Sequence, residues 1–147
     1  MEQGLTLITL GVRDLAVSRR FYVETLGWQP MAEPEGVVFF DIGGLILALF
    51  PHTELAKDAG LKVGQGVNER YHGFSLALNK NSDAEIDALF AELSAKNVTI
   101  LKQPQRAFWG GYQGYFTDPD GHVWEVARNP AWTIGPHGRI THRSQPA

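Results

Sequence analysis

The residues best placed to do chemistry lie near the C-terminus, in the run Phe108 to Val126, FWGGYQGYFTDPDGHVWEV. It reads as two aromatic-rich strands joined by Asp118-Pro119-Asp120-Gly121, with one carboxylate, Glu125, set between Trp124 and Val126. A charge inside an apolar strand is costly to bury, so Glu125 faces water, is paired, or meets something that needs a carboxylate. A buried carboxylate with a raised pKa suits proton abstraction next to a carbonyl. The structural alternative is a Glu bonded to backbone, Arg128 or Arg106. Alternation along the strand puts Glu125 on a face with Val123 and Ala127, and Trp124 with His122 and Val126.

Around it, Trp109, Tyr112, Tyr115 and Phe116 offer an aromatic lining, and Gly110, Gly111 and Gly114 allow close approach of a backbone or a flat ligand. The competing reading fills a core or a dimer interface with them; Trp109 and Tyr112 fit either, Phe116 fits core. Trp28 stands just past a helix end, at core or cleft rim. His52 and His72 border a long connection and are within reach of a cleft mouth or simply solvated. Asp-Pro-Asp-Gly is a turn by geometry, since Pro presets φ and Gly accepts the left-handed conformation. His122 then opens the next strand at an exposed position. No Gly-x-Ser-x-Gly pattern supports a serine nucleophile.

The elements that must hold these residues come in two similar sets. Leu5 to Val12 reads as a strand, and Asp14 caps a helix over Leu15 to Leu26 that Gly27 ends. Val37 to Ile42 and Leu45 to Phe50 flank Gly43-Gly44 as a hairpin. A short helix fits Thr53 to Gly60, and Leu61 to Tyr71 reads as a connection. The pattern then restarts, with a strand at Phe74 to Leu78 and a capping box, Ser82 to Glu85, opening a second helix. Ile86, Leu89, Phe90 and Leu93 form its apolar stripe, and Asn97 stops it. Val98 to Leu101 is a short strand, and Tyr112 to Thr117 with His122 to Ala127 closes the set. Val12 and Leu78, and likewise Gly27 and Asn97, recur at matched offsets, which argues for an internal repeat. In the tail from Pro130, Trp132, Ile134 and Ile140 could dock on the surface, and the last residues are expected to be disordered.

Composition excludes several classes. The 147 residues suffice for one well-buried domain or two half-modules sharing a core. A net charge of -3 gives no electrostatic reason to bind nucleic acid or an anionic membrane. There are no cysteines, which removes thiolate catalysis and sulfur-based zinc sites. The longest apolar run, Leu45 to Phe50, is too short to cross a membrane, and the start at Met1 lacks a basic leader region, so a cytoplasmic protein is expected.

Gly11-Val-Arg-Asp-Leu15, Phe21-Tyr22, Leu26-Gly27-Trp28 and the Asp-Pro-Asp-Gly…Trp-Glu-Val closure together resemble the vicinal oxygen chelate superfamily, which includes glyoxalase I, extradiol dioxygenases and the bleomycin and fosfomycin resistance proteins. The resemblance spans roughly residues 5 to 130. It implies an α+β fold in which two tandem βαβββ modules, 1–51 and 72–130, joined by 52–71 and followed by a tail at 131–147, pair curved mixed sheets around a cleft, usually in a homodimer. It also implies four side-chain positions that hold a divalent metal in the family's metalloenzymes. In this chain they fall at about Leu7, Ala48, Gly73 and Glu125. The first three carry no donor, and a metal site needs several that converge. Glu125, and His72 beside Gly73, are the only metal candidates, so no cofactor is expected and a metal is disfavoured.

The chain is therefore expected to bind a small aromatic or cationic molecule through Trp109, Tyr112, Glu125, His72 and Trp28, without a complete metal site. The alternative is a lyase or isomerase acting next to a carbonyl, with Glu125 as base or ligand; a partner-binding module without a small ligand is a third reading.

Overall fold

Asp14 ends the first strand and starts the first helix by the same side chain: its Oδ1 accepts the N–H groups of Ala16 at 2.9 Å and Val17 at 3.0 Å. In a computed structural model, which describes residues 7–58 and 75–143, the chain divides into two units, Met1–Arg70 and Tyr71–Ala147.

In the first unit, strand β1 (Leu7–Val12) leads into helix α1 (Leu15–Arg20), which widens into one π-helical stretch over Phe21–Thr25. Gly27, at φ +74°, takes the left-handed conformation that ends it. Strands β2 (Val38–Asp41) and β3 (Ile46–Pro51) form the expected hairpin, with Gly43 and Gly44 both at positive φ and Asp41 accepting both their N–H groups. The sheet order is β1-β3-β2, β1 parallel to β3. Leu10, Val12, Val38, Phe40, Leu47 and Leu49 are buried together with Phe21 and Tyr22. A third strand of the repeat is reduced to a single bridge, Ala32 to Phe39. Pro30 and Pro34 flank that segment, and each removes an N–H that a ladder would use. Helix α2 (His52–Asp58) starts one residue before the expected Thr53 and packs on β1 and β3.

The second unit has the full βαβββ set: β4 (Leu76–Asn79), α3 (Asp83–Ala95), β5 (Ile100–Arg106), β6 (Tyr112–Thr117) and β7 (Val123–Arg128). The sheet order is β4-β7-β6-β5, with β4 parallel to β7. The capping box forms: Ser82 Oγ accepts the Glu85 N–H, and the Ser82 hydroxyl donates to the Glu85 carboxylate at 2.8 Å. Asn97, at φ +58°, ends α3. Ile86, Phe90 and Leu93 bury against Phe116, Trp124 and Val126, with Phe116 stacked on Trp124 at 6.2 Å. Strand β5 runs well past the expected Leu101 and includes Pro104, which an edge strand tolerates.

The tail adds a hairpin that the sequence did not announce. Strands β8 (Trp132–Ile134) and β9 (Ile140–Arg143) make a hairpin of their own. Asn81 ties it down: its Nδ2 donates to the Ile134 carbonyl and its Oδ1 accepts the Ile134 N–H, both at 2.8 Å. Residues 144–147, His72, Gly73, Phe74 and most of the expected connection lie outside the described residues.

Candidate functional site

The second sheet has two unlike faces. Trp124, Val126, Phe116 and Gly114 turn to α3, where a Cβ on Gly114 would fall 2.6 Å from Phe90 Cζ. Gly114 therefore makes room for Phe90 and not for a flat ligand. The opposite face carries Glu125, Tyr115, Gln113, Ala127 and Ala77 by strand alternation.

Register sets these residues in rows. Ala77 of β4 pairs with Glu125 of β7, Glu125 with Tyr115 of β6, and Tyr115 with Lys102 of β5. One strand step along, Asn79 pairs with Ala127, Ala127 with Gln113, and Gln113 with Gln105. The first row is carboxylate, phenol, ammonium; the second supplies amides. Lys102 reaches this face because β5 shifts register on both sides of it, between Ile100 and Lys102 and between Lys102 and Gln105. Its Nζ lies 5.9 Å from the Tyr115 ring centroid.

Glu125 is half-buried, and among the described residues none is hydrogen-bonded to its carboxylate. Ala77 beside it and Ala127 two residues on carry only methyl groups. The partners that a structural role would use are taken on the other face. Arg128 Nε donates to Asp83 Oδ1 at 2.5 Å, and Arg106 Nη2 to Asp83 Oδ2 at 2.8 Å.

Other sequence candidates fall elsewhere. Tyr112 is turned to α3, its hydroxyl donating to Asp87 at 2.7 Å and its ring under Arg106 at 5.5 Å. The Asp87 hydrogen bond raises the phenol's pKa. Strand parity separates Tyr112 from Glu125. Trp28, half-buried, packs against Tyr22 at 5.6 Å and Phe40 at 5.7 Å, on the helix side of the first sheet. Trp109 sits in the turn before β6 with its ring against Gly111, where a Cβ would fall 1.9 Å from the ring. Phe108 beside it is fully exposed. His72 lies outside the described residues. Sequence reading missed Lys102, because alternation from Ile100 assigns it to the helix face and only the register shift reverses that.

His122, expected at an exposed position, is largely enclosed, with its Nδ1 2.9 Å from Asp118 Oδ2 and its side chain 14% exposed. The side chain of Asp118 is fully buried, and its Oδ1 accepts the N–H groups of Asp120 and His122. Burial of the ring opposes protonation, but the hydrogen bond and charge of Asp118, aided by Asp120, outweigh it and raise the imidazole's pKa.

For a metal, the donor chemistry does not fit on the described residues. Leu7 and Ala48 have no donor, and among the described residues no three His, Asp or Glu side chains converge.

The family model of the glyoxalase/bleomycin resistance protein/dioxygenase superfamily matches residues 4–126. The chain belongs to that superfamily. This glyoxalase-superfamily chain is similar to the metallothiol transferase FosB of Staphylococcus saprophyticus, 28% identical over 126 residues, which cover 86% of the chain and 77% of the relative. The crystal structure of a glyoxalase-related enzyme from Fulvimarina pelagi matches with a TM-score of 0.84 at 36% identity, covering 97% of this chain and 100% of that one. The fosfomycin resistance protein FosX of Listeria monocytogenes matches with a TM-score of 0.67 at 25% identity, over 88% and 95% of the two chains. The α+β fold with mixed sheets is thus common to this superfamily member and its relatives. The expectation of a metal-free protein draws no support from relatives that are named metallothiol transferases.

Proposed function

We propose that this superfamily member binds a small molecule on the face of the second sheet that carries Glu125, with the carboxylate receiving a cationic or hydrogen-bond-donating group of the ligand. One observation carries this: a half-buried carboxylate that no described residue bonds, flanked by the methyl groups of Ala77 and Ala127 and paired across the strands with Tyr115. A half-buried carboxylate that the protein itself does not bond keeps its acceptor capacity for a ligand. Trp109 and His72 are kept as candidate contacts; Tyr112 and Trp28 are not, because their rings are engaged in packing.

Binding of benzylammonium to the protein and to its Glu125→Gln variant tests this. A Glu125-dependent affinity supports it, and equal affinities sink it.

A second reading is a lyase or isomerase in which Glu125 removes a proton next to a carbonyl. Tyr115 and Lys102, in the same row, favour it, since a phenol and an ammonium could stabilise the enolate oxygen. Solvent deuterium entering the carbon next to a ligand carbonyl, and no longer doing so in Glu125→Gln, would support it. In either reading the protein acts as a cytoplasmic homodimer, and a monomeric mass by light scattering at micromolar concentration would refute the dimer.

A further inference from the structure

The row Glu125–Tyr115–Lys102 holds two opposite charges that do not meet. Each residue pairs directly with Tyr115 on an adjacent strand, so their Cα positions are roughly 10 Å apart, two strand spacings. Neither has an ion-pair partner among the described residues. The two cations that the sequence offered to Glu125, Arg106 and Arg128, are held by Asp83 on the other face. Tyr115 stands between Glu125 and Lys102 in the row, with the Lys102 ammonium 5.9 Å from its ring centroid, and the next row carries the amides of Gln113, Gln105 and Asn79.

We infer that the ligand of this face is a zwitterion: its cationic group meets Glu125, its anionic group meets Lys102, and a flat or apolar middle lies across Tyr115. The inference rests on the reading of this face as a small-molecule site and names the class of molecule. A ligand with one charge satisfies one end of the row and leaves the other solvated. A zwitterion with its charges set apart by about a ring's length satisfies both, and each charge-assisted contact replaces one made to water. The two register shifts of β5 matter here, because a regular strand would turn Lys102 to α3.

The test is calorimetric titration of the full chain at low ionic strength with three probes: 4-(aminomethyl)benzoate, benzylammonium and benzoate. The zwitterion should bind about tenfold more tightly than either singly charged probe, one charge-assisted contact's worth. Lys102→Gln should remove that advantage, so that on the variant the zwitterion binds no more tightly than benzylammonium, and Lys102→Arg should restore it. Glu125→Gln should abolish benzylammonium binding. If benzylammonium binds through Glu125 but the zwitterion is no tighter, or its advantage survives Lys102→Gln, the zwitterion inference fails and the small-molecule site stands. If no probe binds in a Glu125-dependent way, both fail.

Discussion

Glu125 and Tyr115 stand directly opposite each other on β7 and β6, while the neighbouring pair Trp124 and Phe116 stacks on the reverse side of the same two strands. One hairpin therefore serves two purposes: its even-numbered residues build the core under α3, and its odd-numbered residues furnish the candidate site.

That division predicts separable effects at Glu125. Its carboxylate has no described partner, so Glu125→Gln should shift unfolding stability by no more than about 0.5 kcal/mol, as for a surface change away from any network. Urea unfolding checks this, and a loss of several kcal/mol would mean that Glu125 holds the sheet together.

Asp118 should behave in the opposite way. It is fully buried and satisfies two backbone N–H groups and the His122 ring. Asp118→Ala should cost roughly 2–4 kcal/mol, because buried donors lose their acceptor. A denaturation midpoint equal to that of the unaltered protein would contradict it.

The His122–Asp118 pair also gives a pH signature. The folded-state pKa of His122 is raised above its unfolded value of about 6.5. The folded state therefore binds the proton more tightly, and the pair's contribution is complete below the unfolded pKa and is lost as pH rises through the folded pKa. Unfolding midpoints measured across that window should fall with pH, and the His122→Gln variant should lose this component of the slope.

At Gly114 the prediction is steric. A methyl group there would lie 2.6 Å from Phe90 Cζ and 3.0 Å from the Lys102 carbonyl. Gly114→Ala should destabilise by about 1–3 kcal/mol through overpacking. Because the same shift presses on β5 beside Lys102, ligand affinity should fall with it. Thermal unfolding of Gly114→Ala and of the double variant Gly114→Ala/Phe90→Leu, in which the clash is relieved, measures both effects.

Metal content is open to direct measurement. Leu7 and Ala48 offer no donor and no three described His, Asp or Glu side chains converge, so any metal that elemental analysis finds on the purified protein needs donors outside the described residues. One metal per chain, lost with Glu125→Gln, would show that donors beyond the described residues, His72 foremost, complete a site.

The sequence by itself determined what local chemistry decides. Asp14 and Ser82 announce helix starts because a side-chain oxygen satisfies the N–H groups that the first turn leaves free. Gly27, Gly43 and Gly44 mark stops and turns because their backbones must take positive φ. The order of elements, and Glu125 on the face opposite Trp124, followed from such signals and from strand alternation. What alternation cannot reveal is where it breaks or what a side chain meets. Tyr112 and Tyr115 looked equivalent in the text, yet their odd spacing sends one to Asp87 of α3 and the other to Glu125. His122 looked exposed until the turn closed the Asp118 carboxylate onto it. Lys102 joined the site only through two register shifts in β5, because pairing across strands, set by residues far apart in the chain, overrides the parity that each strand carries alone.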